Sequence, residues 1–325
     1  MKLFKNNLSI NFDYFIEHRR DILISRGVIP GYLAVQLPTM NMGKVNNHGF
    51  EVSMRWQDKI RTARYYIGGN ISYAKNKIVF MDEIKYPYEW MQRTGKPVGQ
   101  NFGYVFDGYF TEAEVAEYEH TKGTEGGIPD QGSGYVPLPG DVKYKDLNGD
   151  HKIDEKDIRA IGSPAYPLLT YAVNMGVSWK GFDLSITLGG ASKTSRFLSG
   201  PYRIPFGEMN NWSLMRYMIN DAWTPEKGNA AAAPAISLRN KSHNYLDSDL
   251  WLRDASYIRL KNIEVGYSFA KNVTRALHLN SLRLAVSGYN LLTFDHLKVC
   301  DPEANPDGRA YPLIKVIEVG LKVGF

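Results

Sequence analysis

Apolar and polar residues alternate with a period of two in eight separate stretches, the mark of strands with two unlike faces. From residue 8 the apolar set is Leu8, Ile10, Phe12, Tyr14 and Ile16, with Ser9, Asn11 and Asp13 between them. The second stretch carries Phe50, Val52, Met54 and Trp56, and the third carries Tyr65, Ile67, Ile71 and Tyr73. The fourth is Tyr171, Val173, Met175, Val177 and Trp179, and the fifth is Phe182, Leu184, Ile186 and Leu188. Three more follow: Ile263–Phe269, Leu282–Leu292 (with Gly288 and Asn290 breaking the row) and Leu313–Phe325 (with Lys315 as the exception). The second faces are rich in Ser, Thr, Asn and Gly, and the apolar rows often end in aromatics. This pattern predicts an all-β chain of about eight antiparallel strands. Two architectures fit the alternation alone: the wall of a membrane β-barrel, apolar-out and polar-in with aromatic girdles, or a soluble β-sandwich.

The connections separate the two. Lys180-Gly181 joins two strands as a two-residue hairpin, which places Trp179 opposite Phe182 on one face. Along the chain, long and short connections alternate strictly. The long ones run from Ile24 to about Gly49, from about Val79 to Leu169, from Gly189 to Tyr257, and from Asp295 to Pro312. The short ones lie at Gln57–Arg64, Lys180-Gly181 and Ala270–Ser281. Outer-membrane barrels have short periplasmic turns and long external loops, whereas a compact soluble domain rarely carries long structureless loops. The expected fold is a transmembrane β-barrel, and eight strands could in principle close a small one. Its chain would start and end at the periplasm and put its long loops outside the cell. No run of about 18 apolar residues predicts a membrane-spanning helix, and no apolar stretch behind the first lysines reads as a signal peptide.

Within the longest connection, "DLNGDHKIDEKD" (146–157) repeats oxygen-bearing side chains like a calcium loop. Asp146, Asn148, Asp150, the carbonyl of Lys152, Asp154 and Asp157 occupy positions 1, 3, 5, 7, 9 and 12, from which such a loop wraps Ca²⁺. His151 stands where Gly usually makes the sharp turn, and Asp157 where Glu usually binds with both oxygens. The bland reading is a solvated acidic turn.

Other chemistry is sparse. The net charge of +5 is spread without a Lys/Arg block, so no nucleic-acid groove is expected. A single cysteine, Cys300, excludes internal disulfides and reads as incidental. Seven scattered histidines and the absence of nucleophile, zinc-protease or phosphate-loop motifs point away from an enzyme. Residues 112–120 predict one short loop helix. The loop aromatics Tyr86, Tyr88, Trp90, Tyr135, Tyr202, Trp212, Tyr217 and Trp223 could stack on sugar rings, but such residues more often pack their own loops.

Several longer stretches resemble one family, the SusC/RagA-like TonB-dependent outer-membrane transporters. They are "GDVKYKDLNGDHKIDEKDIRAIGSP" (140–164), "SWKGFDLSI" (178–186), "DAWTPE" (221–226), "SDLWLRDASYIRLKNIEVGYSF" (248–269), "SLRLAVSGYNLLTF" (281–294) and "IKVIEVGLKVGF" (314–325), with "NMGKVNNHGFEVSMRW" (41–56) upstream. Phe325 resembles the terminal aromatic of outer-membrane proteins. The resemblance implies the C-terminal part, the last eight or so strands, of a large transmembrane barrel of about 22, without signal peptide, TonB-contacting segment or plug domain. It further implies uptake of glycans or peptides across a Bacteroidetes-type outer membrane. The implied partners are outer-membrane lipid, a SusD-like surface lipoprotein and the TonB complex. A calcium-dependent, carbohydrate-binding β-sandwich is the alternative.

Overall fold

The computed structural model describes residues 2–28, 37–132, 134–207 and 212–325. Eight long strands form one antiparallel sheet in chain order. They are β1 (Leu8–Ile24), β2 (Met40–Ile60), β3 (Ala63–Phe80), β4 (Leu169–Trp179), β5 (Phe182–Ser192), β6 (Tyr257–Ser268), β7 (Ser281–Asp295) and β8 (Val316–Gly324). A two-residue strand, Lys2–Leu3, adds to the β1 edge. Every strand pairs with its sequence neighbour, including β3 with β4 across an 88-residue connection (81–168). Among the described residues β8 pairs only with β7, so the wall is open there.

The turn chemistry sets the register. Trp179 faces Phe182 across the Lys180-Gly181 turn, as the two apolar rows require. Both turn residues have positive φ, 47° and 92°, which matches the twist of a two-residue hairpin. Arg61-Thr62 closes β2 onto β3 in the same number of residues.

The apolar face of the sheet is uncovered. Phe12 is 63% exposed and Ile317 72%, and Tyr14, Met54, Ile67, Val265 and Leu321 are likewise open. In a sandwich a second sheet would lie about 10 Å above these side chains. No such sheet exists among the described residues, and the sandwich alternative fails on this point. An apolar outer face with a polar inner face is the arrangement of a barrel wall in lipid. Tyr65 to Tyr73 covers nine residues between aromatic girdle positions, the length a tilted strand needs to span a bilayer.

Two expectations are corrected. The second strand extends well beyond Phe50–Trp56, to 21 residues, and the third beyond Tyr65–Tyr73, to 18. The last ten residues of the stretch expected as a first long connection, 40–49, are therefore strand; its residues 29–36 lie outside the described residues. The polar rows here, such as Asn46, Asn47, Asn76 and Lys77, broke the apolar alternation but not the backbone pairing. The long connections are also not structureless. They hold short paired strands (Phe106–Tyr109 with Val142–Tyr144, and Ser195–Phe197 with Leu252–Asp254) and the helix α1, Glu112–Thr121. That helix starts where Thr111 and Glu114 satisfy each other's backbone N–H groups.

Candidate functional site: the loop cap and the acidic loop

The buried core lies in the long connections rather than between sheet faces. Tyr109, Phe110, Tyr118, Val142, Tyr144, Leu198, Trp251 and Leu297 are all nearly inaccessible. Apolar side chains of this kind stabilise by roughly 1.5–3 kcal/mol each on full burial, so the connections fold as a cap in their own right. The cap joins three connections. The Tyr109 hydroxyl donates to the Ala231 carbonyl (3.1 Å), and that of Tyr144 to the His243 carbonyl (2.8 Å). The Ser199 N–H donates to the Pro306 carbonyl (2.8 Å), bringing in the last connection.

At the centre of the cap, Asp141 is almost fully buried and accepts from the Asn244 amide (2.6 Å), the Leu138 N–H (2.8 Å) and the Tyr135 hydroxyl (3.2 Å). His243 stacks on Tyr135, ring centres 4.0 Å apart, and its Nε2 lies 2.9 Å from the Val142 carbonyl. Burial holds the His243 pKa below its usual value, against the opposing pull of the Val142 carbonyl and Asp141. The contacts of Asp141 with Asn244 and of Val142 with His243 were not legible in the sequence, since these partners are about 100 residues apart.

A second anchor ties the cap to the wall. The fully buried Arg259 of β6 places Nη2 2.8 Å from both Asp301 oxygens and Nη1 2.6 Å from Glu303. Its Nε donates to the Thr293 hydroxyl of β7 (3.0 Å). A buried guanidinium with this many charge-assisted partners is strongly held.

The six predicted metal-ligating positions are brought together in one loop, but they are turned onto the chain itself. Asp146 accepts from the N–H groups of Asn148 (3.1 Å), Gly149 (2.7 Å) and His151 (2.8 Å). Asn148 accepts from the Asp150 N–H (3.0 Å), and Asp150 from that of Lys152 (3.1 Å). The Lys156 ammonium lies 2.8 Å from Asp150 and 3.3 Å from Asp154, as a built-in cation between them. Asp157 is fully buried and closes the loop by accepting from Leu147 (2.8 Å) and Asp154 (2.9 Å). Burial pushes its pKa up, partly offset by those N–H groups. Gly149 and His151 both take positive φ, 75° and 59°, and so share the sharp turn. Among the described residues no three His, Cys, Asp or Glu side chains form a metal-holding group. As arranged, the loop does not fit a divalent ion unless Lys156 moves.

The loop is latched from outside by Trp90, whose Nε1 donates to the Lys156 carbonyl (2.8 Å) while its ring stacks on Tyr88. The other predicted aromatics are half-buried. Tyr202, Tyr217 and Trp223 pack against the cap core, Trp212 lies against Gly207, and Tyr135 stacks on His243.

No protein-family model matches the chain. Across 99% of its length it is 27% identical to TonB-dependent receptor P3 of Formosa agariphila, over 33% of that protein. It is 22% identical over 88% of its length to TonB-dependent receptor SusC of Bacteroides thetaiotaomicron, covering 27% of it. The structure superposes on the RagAB peptide transporter with a TM-score of 0.70 at 18% identity, covering all of this chain and 34% of that one. The chain thus spans about a third of the length of the relatives it matches. Those relatives are named as receptors and transporters, not enzymes. Over nearly its whole length the chain is thus similar in sequence to TonB-dependent receptors, SusC among them, and it shares the fold of about a third of the RagAB peptide transporter.

Proposed function

We propose that the chain forms part of the wall and external cap of an outer-membrane importer for glycans or peptides, with no chemical step of its own. The observation that carries this reading is the inverted distribution of apolar surface. The strands expose theirs, while the buried core sits in the long connections at one end of the sheet. A wall in lipid topped by a folded cap has this distribution, and a soluble enzyme does not. In this reading the short turns face the periplasm, the cap faces outward, and the inner polar face lines the passage. Energy would come through a TonB complex, and capture through a SusD-like surface lipoprotein. A divalent cation in the 146–157 loop belongs to the same proposal, and it would have to displace Lys156.

The test is a disruption of the gene in its own host, followed by growth on a peptide digest and on a panel of oligosaccharides as alternative nutrients. Loss of growth on one class, restored by the intact gene, supports the reading and names the cargo. Cell fractionation accompanies it. A folded protein in the soluble fraction without detergent would overturn the wall assignment.

A further inference from the structure

Basic side chains cluster on one face in the upper parts of β1–β3. Tyr14 of β1 pairs with Phe50 of β2, and Phe50 with Tyr73 of β3, so these aromatics form one row on the exposed apolar face. The next positions on that face, moving toward the long-loop end, are His48 opposite Lys75 and Asn46 opposite Lys77, followed by Lys44. His18 pairs with Asn46 and contacts it at 2.8 Å. Lys193, just beyond β5, holds its ammonium 5.3 Å from the centre of the Tyr73 ring. His18, His48, Lys44, Lys75, Lys77 and Lys193 are all exposed. Of the acids of these strands, Asp13, Glu17 and Glu51 occupy the alternate positions and hence the inner face, Asp21 lies in the irregularity beyond Arg19, and Asp58 lies at the opposite end of the wall, paired with Tyr65.

The nearby loop acids are already engaged. Asp82 binds Arg26 and the Gly27 N–H, and Glu83 binds the N–H groups of Arg93 and Thr94. Among the described residues no carboxylate pairs with Lys44, Lys75, Lys77 or Lys193. The basic cluster is also local. The corresponding ends of β6 and β7 expose Ile258, Leu292 and Phe294 instead.

We propose that this outward cluster binds the phosphate-bearing headgroup of an anionic membrane lipid. The proposal rests on the reading of the apolar face as lipid-facing. Lys75 and Lys77 lie two and four residues past Tyr73, or about 7 and 13 Å along a strand rising ~3.3 Å per residue. The aromatic row marks the edge of the hydrocarbon, so the ammonium groups stand at headgroup depth. A ligand reaching both the ammonium groups and the apolar rows around Phe12 and Ile71 below them must be an amphiphile with an anionic head. A soluble anion would gain nothing from the lower half of that surface, and a zwitterionic lipid would gain little from the upper half.

The experiment uses the intact chain in nanodiscs of phosphatidylcholine with a minor share of phosphatidylglycerol. Native mass spectrometry counts the lipids that stay bound on release. Wild-type protein should retain phosphatidylglycerol over phosphatidylcholine by more than tenfold. Each lysine removed in K75Q, K77Q and K193Q should cost about fivefold. Equal retention of the two lipids, or an unchanged preference in the triple variant, overturns the proposal. Displacement of the lipid by a tenfold excess of inorganic phosphate would also overturn it, since the site would then take any phosphate. Brominated phosphatidylcholine separates the two layers of the argument. Quenching of tryptophan fluorescence without a headgroup preference sinks only the lipid site, whereas no quenching sinks the membrane reading beneath it.

Discussion

Arg283 of β7 reaches Asp183 of β5 by lying across Gly266 of β6. Its Nη2 is 2.5 Å from Asp183 and 2.6 Å from Glu264, and Glu264 accepts in turn from the Ser287 hydroxyl (3.0 Å). Gly266 stands directly opposite Asp183 and Ala285 in the sheet. A Cβ there would come within 2.3 Å of the guanidinium and 2.7 Å of the carboxylate. The glycine therefore permits one polar network to span three strands on the inner face of the wall.

Both partners of that pair are about a third exposed, so R283Q should cost only about 1 kcal/mol or less. G266V should cost more, because it displaces both side chains and leaves two carboxylates unpaired. Urea unfolding in detergent, followed by tryptophan fluorescence, should rank the midpoints wild type, R283Q, G266V in falling order. Equal midpoints for wild type and G266V would contradict the network.

W90F keeps the ring stack on Tyr88 and removes only the donor to Lys156. A hydrogen bond of this kind contributes about 1 kcal/mol. Limited proteolysis within 146–157 should become several-fold faster while the barrel strands stay protected. D146A and D150A together should loosen the same loop without affecting barrel assembly.

Calcium entering the 146–157 loop would have to compete with Lys156 for the oxygens of Asp150 and Asp154. Terbium luminescence sensitised by Trp90 should saturate in wild type only at about 10⁻⁴ M or above, the weak extracellular range. K156A should bind at lower concentration. No signal in either protein would leave the loop as a purely self-closed turn and refute cation capture.

The pKa of His243 is depressed, so in the window from its usual value near 6.5 downward the unfolded cap binds more protons than the folded one. Its contribution to stability is complete above that window and is lost as pH falls through it. Hydrogen-exchange protection of Val142–Tyr144 should drop between pH 7 and pH 5.5 in wild type, and drop less in H243N. The elevated Asp157 pKa acts in the opposite sense on the acidic loop, whose stability should fall as pH rises out of the acid range.

Burial, with Asp301 and Asp295 adding to it, pushes the Cys300 thiol up to about 11. It should react with a maleimide at pH 7 many-fold more slowly in the folded protein than after denaturation. Equal rates would show that the last connection does not pack as described.

The strands were legible because a wall between lipid and a wet interior writes its two faces into alternate residues, and a two-residue turn such as Lys180-Gly181 locks the register. The strict alternation of long and short connections carried the choice of barrel over sandwich, and the uncovered face of Phe12 and Ile317 then settled it. Beyond the apolar span the sequence signal ended. The upper halves of β2 and β3 face water or headgroups on one side, so nothing compels alternation, and only backbone pairing reveals them. The acidic spacing of 146–157 was visible, but not that Lys156 and backbone N–H groups take up its oxygens, because that depends on how the turn closes. The cap network of Asp141, His243 and Tyr135, and the Arg259 anchor on Asp301 and Glu303, belonged wholly to the tertiary structure. His243 lies about a hundred residues from Asp141 and Tyr135, and Arg259 about forty from its acids, and a single chain's local pattern holds no record of contacts at that distance.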